Sequence, residues 1–128
     1  MPMFLSVALA ALLAQSDQPE PQPPAELSAQ VAGIAGTLAP SCKTVIWPGR
    51  DSAALSCVEQ HLASGEPLIA YFRVAGIDST LWQAALQLAS GHLYLLEHDS
   101  FGSGKTSSAP CRRLVVQKSA LIPIACER

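Results

Sequence analysis

Asparagine is absent from all 128 residues, so the chain carries no N-glycosylation acceptor and nothing in it calls for a eukaryotic secretory surface. Basic residues form no run longer than Arg112-Arg113, and the formal charge is only -2. That leaves no track for a phosphate backbone or an anionic bilayer, and nucleic acid is excluded as an expected partner. Beyond the first fourteen residues, no apolar run approaches the roughly 20 residues of a spanning helix, so no membrane span is expected in the mature form.

The motifs of catalysis are missing as well. Neither G-x-S-x-G nor S-x-x-K occurs, because the residues three before Lys43, Lys105 and Lys118 are Pro40, Gly102 and Val115. There is no C-x-x-C pair for zinc. His92 and His98, if they share an extended strand, stand about 20 Å apart and cannot ligate one ion. The string Phe101-Gly102-Ser103-Gly104-Lys105-Thr106 ends like a phosphate-binding loop, but Asp99 occupies the place of the first required glycine. A carboxylate there would repel the phosphates, and Ser107-Ser108-Ala109-Pro110 follows where a helix should begin. No catalytic residue, metal or cofactor is therefore expected.

What the chain does have begins with an address. Phe4 to Ala14 is an apolar run followed by polar Gln15, Ser16 and Asp17, the pattern of a secretory signal peptide. Residues 1–16 read as that signal, although Met1-Pro2-Met3 supplies no basic residue in front. Asp17 to Pro24 holds four of the ten prolines and reads as a solvated linker, leaving 25–128 as one small domain. Usage leaning to Ala, Gly, Pro and Leu points to a bacterium, and the expected location is periplasmic or secreted.

Four cysteines remain, Cys42, Cys57, Cys111 and Cys126, an even number in an oxidising compartment. Of the three possible pairings, local geometry favours Cys42 with Cys57 and Cys111 with Cys126. The second pair would face each other across a hairpin if Lys118-Ser119 is the loop, because opposed residues then sum to 237.

Leu27, Val31, Ile34 and Leu38 recur at helical spacing between Pro24 and Pro40. A second helix, capped by Asp51 or Ser52, places Leu55, Val58 and Leu62 on one face and stops at Gly65. Thr44 to Trp47, Leu68 to Val74 and Leu93 to Glu97 read as strands. Thr80 to Ala89 supports both helix and strand, with the helix slightly ahead. The fold class expected is α+β, a small antiparallel sheet packed with one or two helices and stapled by two disulfides.

These features lead to a non-enzymatic exported module that binds a protein or envelope component. The contact residues expected are Trp47, beside Pro48-Gly49, and Asp99, Phe101 and Lys105 in the Gly- and Ser-rich stretch Asp99 to Ser108. The alternative is a small hydrolase-like or inhibitor-like site built from His61, His92 or His98 with Asp78 or Asp99.

Overall fold

The structure is a computed structural model that describes residues 20–36, 38–49, 52–100 and 104–128. The expected signal peptide, Asp51 and Phe101 lie outside them.

Among the described residues, two helices and seven strands make an α+β fold. Helix α1 (Ala25–Ala35) is followed by strand β1 (Val45–Trp47), helix α2 (Ser52–Ser64) and strands β2 (Leu68–Ala75), β3 (Thr80–Gln87), β4 (Leu93–Asp99), β5 (Thr106–Cys111), β6 (Arg113–Val116) and β7 (Ile124–Glu127). Strands β1 to β5 form one sheet in sequence order, and β6 and β7 form a separate hairpin. The sheet is mixed rather than purely antiparallel. The α2 crossover returns β2 alongside β1 in the same direction, while β2 through β5 form an antiparallel meander.

Each face of the sheet has its own core. On one face Ile69, Tyr71, Trp82, Ala84, Leu86 and Leu96 pack against Leu27 and Val31 of α1. On the other, Leu68, Ala70, Phe72, Val74, Ala85 and Leu95 pack against Ala54, Leu55 and Val58 of α2 and against Leu114 and Ile124 of the hairpin. The layers are therefore α1, sheet, and α2 beside the hairpin.

This two-sided burial decides the segment that the sequence left open. Thr80 to Ala89 is not a helix; Thr80–Gln87 is the central strand β3. Its Ala, Leu and Gln content favours a helix locally, but Trp82 to Gln87 are all buried, and an extended chain offers alternate residues to both cores. Tertiary burial overrides propensity there.

The first helix also ends earlier than its periodicity suggests. Gly36 adopts φ 80° and donates its N–H to Ala32 O, closing α1 before Leu38, which is 65% exposed instead of continuing the apolar face. Helix α2 matches its pattern, with Gly65 at φ 77° donating to His61 O as the stop.

Both disulfides form as paired, Cys42–Cys57 and Cys111–Cys126, each with a sequence separation of 15. The hairpin register differs from the expected one. Leu114 opposes Cys126 and Val116 opposes Ile124, so opposed residues sum to 240 and the turn spans 117–123 instead of two residues. Gln117 N–H donates to Pro123 O across that wider turn. Cys111 belongs to β5, so its bond ties the sheet edge to β7 rather than linking the two hairpin strands.

Candidate functional site

The register places the chain's turns at two opposite ends of the sheet. One end collects Pro48 and Gly49 after β1, the β2–β3 turn, the end of β4, the start of β5 and the hairpin turn. The other holds the start of β2, the β3–β4 turn, the end of β5 and both disulfides.

At the first end the α2-side core is left partly uncovered. Trp47, Val74 and Leu81 face one another across β1, β2 and β3. The hairpin turn approaches them, and Trp47 Nε1–H donates to Ala120 O at 3.2 Å. That bond satisfies the only polar atom of the indole and fixes its ring as a wall. An open groove of about 720 Å³ results, completed by Pro48, Ile77, Leu121 and Ile122. Ile77 and Leu121 are 101% and 92% exposed. Large aliphatic side chains at the rim of an apolar groove have no water-side purpose, whereas scattered single ones are ordinary.

The groove is shaped by its turns. Gly76 N–H donates to Ser79 O at 2.8 Å, lifting Ile77 and Asp78 at the tip. A Cβ at Gly49 would collide with the carbonyl oxygen of Ile46, so the chain leaving Trp47-Pro48 needs glycine to fold this tightly. Lys118 at the rim pairs with Glu59 of α2 at 3.2 Å, anchoring the hairpin turn beside the groove.

Of the expected contact residues, the structure brings Trp47 and Asp99 into this end, in one row with Val74 and Leu81. Lys105 is exposed just before β5 at the same end. The expected loop Asp99 to Ser108 is shorter than the composition implies, because Thr106 to Ser108 pair with β4 as the start of β5. Ile77, Leu121 and Ile122 were missed from sequence. The signal available was their position in turn regions, where bulky aliphatics are out of place.

The three histidines sit in three settings. His92 Nδ1 is 2.8 Å from Ser90 Oγ in the β3–β4 turn. His98 Nδ1 is 2.8 Å from Thr106 Oγ1 on the α1 side of the sheet, in the row Arg73, Trp82, His98, Thr106. Asp99, the next residue of the strand, faces the other side, so His98 and Asp99 do not converge. Asp78 is exposed in the β2–β3 turn. His61 lies at the opposite end, half-buried against the Cys42–Cys57 disulfide, with Nε2 at 3.8 Å from Glu66 Oε2.

No helix among the described residues is long and apolar enough to cross a membrane. No protein family, curated protein or solved structure matches this chain.

Proposed function

We propose that this chain is an exported, disulfide-stapled binding module, without enzymatic activity, that captures an apolar side chain or short apolar segment of a protein partner. The observation carrying this reading is the groove walled by Trp47 and rimmed by Ile77 and Leu121. An aromatic wall already held by its own hydrogen bond loses little entropy on binding, and desolvated apolar anchors supply most of the energy of protein contacts. Asp99 and Lys105, at the same end, would add charged contacts around the anchor. Export is supported by the apolar segment Phe4 to Ala14 and by two disulfides, which persist in oxidising compartments.

The experiment is photo-crosslinking from single positions in the living host. A cross-linking residue at Ile77 or Leu121 is expected to give one discrete protein adduct that disappears when excess chain without the cross-linker is supplied. The same residue at Ser90, at the far end of the sheet, should give none. Adducts identical at all three positions, or none at any, would overturn the reading.

A further inference from the structure

Away from the groove, three side chains of sulfur and imidazole chemistry meet. Cys42 leads into β1, Cys57 lies along α2, and His61 follows one turn later on the same face of that helix. His61 Nδ1 stands 3.9 Å from Cys42 Sγ and 3.8 Å from Cys57 Sγ. All three atoms lie within 4.8 Å of one another. A tetrahedral zinc ion bound at about 2.3 Å to sulfur and about 2.0–2.1 Å to nitrogen has ligand edges of about 3.6 Å from S to N and about 3.8 Å from S to S. Both S···N edges are therefore near tetrahedral already. The sulfur pair alone, now bonded at 2.05 Å, must open, and its Cα atoms are 5.9 Å apart.

We infer that Cys42, Cys57 and His61, in the dithiol state, form a three-ligand site for a soft divalent cation such as Zn²⁺, with Glu66 positioning the imidazole. A dithiol reductant supplies two electrons and two protons to the Sγ–Sγ bond and leaves as its own disulfide. The two thiols give up their protons to solvent as the cation binds, and a water completes the coordination. Re-oxidation by thiol–disulfide exchange, in which a disulfide oxidant takes up the two electrons and two protons and leaves as its dithiol, removes both thiolate ligands and expels the ion.

The imidazole is arranged for this exchange. Its Nδ1 is 2.8 Å from Cys57 O, and since a carbonyl only accepts, Nδ1 carries the proton in the disulfide form. Coordination needs that nitrogen's lone pair, so the ring proton moves to Nε2. There Glu66 Oε2, at 3.8 Å and on an exposed side chain, accepts after a small approach. A carboxylate behind a metal-bound histidine fixes its tautomer and strengthens it as a ligand. Cys57 O keeps its place in the helix ladder when the side-chain bond is given up.

Co²⁺ is the probe, titrated into the full chain after reduction by a phosphine. The reduced protein is expected to take up one equivalent with a sulfur-to-cobalt charge-transfer band and the d–d intensity of a tetrahedral site. A Cys111→Ser, Cys126→Ser variant should behave alike. His61→Ala and Cys57→Ser should abolish the site, and Glu66→Gln should weaken it about 10- to 100-fold. The oxidised chain should bind none. Uptake without the sulfur band, uptake by His61→Ala at wild-type affinity, uptake by the oxidised chain, or no uptake after reduction would each overturn the inference.

Discussion

Trp47 and Asp99 stand at opposite ends of one cross-strand row, Trp47, Val74, Leu81, Asp99, that crosses four strands at the groove end of the sheet. At about 4.8 Å per strand, their backbones are about 14 Å apart. A partner seated in the groove along this row meets aromatic surface first and charge last. Leu121→Asp and Ile77→Asp should abolish the cross-linked adduct while changing stability by no more than about 0.5 kcal/mol, because both residues are exposed. Urea unfolding checks the stability; Asp99→Ala should weaken capture less than either, since a rim charge contributes less than an apolar anchor.

The two staples should matter about equally. Replacing Cys111 and Cys126 together by serine, or Cys42 and Cys57 together, each releases a closed loop of 15 residues, with an expected loss of about 3 kcal/mol in the chain-entropy account. Denaturant midpoints of the two double variants, measured under non-reducing conditions, give the comparison.

Gln87 is a small polar clasp inside the fold. Its Nε2 donates to His61 O at 2.8 Å and to Glu66 O at 2.6 Å, and the residue is buried. Those carbonyls belong to the end of α2 and the turn after it. Gln87→Leu should cost about 1–3 kcal/mol by taking the Gln87 donor from Glu66 O and from His61 O, of which His61 O still keeps the Gly65 N–H. Gln87→Glu should cost more, since a carboxylate would face two carbonyl oxygens at the negative end of a helix.

Two groups give the chain a pH signature. Hydrogen bonding from Arg113, at 2.9 and 2.6 Å, holds the Glu127 carboxyl below its ordinary value of 4.5, aided by the positive charge of Arg113 and Arg112. A lowered folded value means that the contribution is present above the unfolded value and lost as pH falls through the folded one. Carboxyl NMR titration should show Glu127 ionising at lower pH than in Arg113→Ala. Burial raises the Tyr71 phenol above 10.0, so its contribution is intact below that value and lost as pH rises through the higher one. Tyr71→Phe should remove the late component of an alkaline absorbance titration.

Gly49→Ala should destabilise the turn after Trp47, since its Cβ has no room beside Ile46 O. The cost should appear in the denaturant midpoint and in weakened capture at the groove, because the same turn positions Pro48.

Where burial falls on one side, the sequence is legible. Helix α2 announces itself through Leu55, Val58 and the Gly65 stop, and the cysteine pairs follow from equal spacing. Strand β3 is only half legible: Trp82, Ala84, Leu86 and Leu88 alternate as in a strand, but the Ala, Leu and Gln content of the segment favours a helix, and only burial on both faces decides between them. Strand β5 is hidden for a different reason. Thr106, Ser107 and Ser108 read as loop residues, and only backbone pairing with β4 makes them a strand edge. The hairpin was visible but not its register, since Lys118-Ser119 carried no turn chemistry to fix it. At the sites, Trp47 stands out as an aromatic beside a turn and Asp99 as part of a Gly- and Ser-rich stretch, and only the strand register puts them at the two ends of one row. The sulfur–imidazole cluster escaped because C-x-x-C and paired histidines were the patterns sought; Cys57-x-x-x-His61, one helical turn apart, was the signal present.

The covalent staples are unevenly shared between the two faces of the sheet. Both belong to the face that carries α2 and the hairpin, whereas α1 is held to its face by Leu27, Val31 and Ile34 and by hydrogen bonds such as Thr106 N–H to Glu26 Oε1. This sets an order of disassembly. Under heat, or under tension on the segment ahead of Ala25, α1 detaches first, while the stapled half stays folded. The strip then bared, with Ile69, Tyr71, Trp82, Leu86 and Leu96, is apolar. Any aggregation of this protein should therefore begin from that strip and be prevented by a cross-link tying α1 to the sheet.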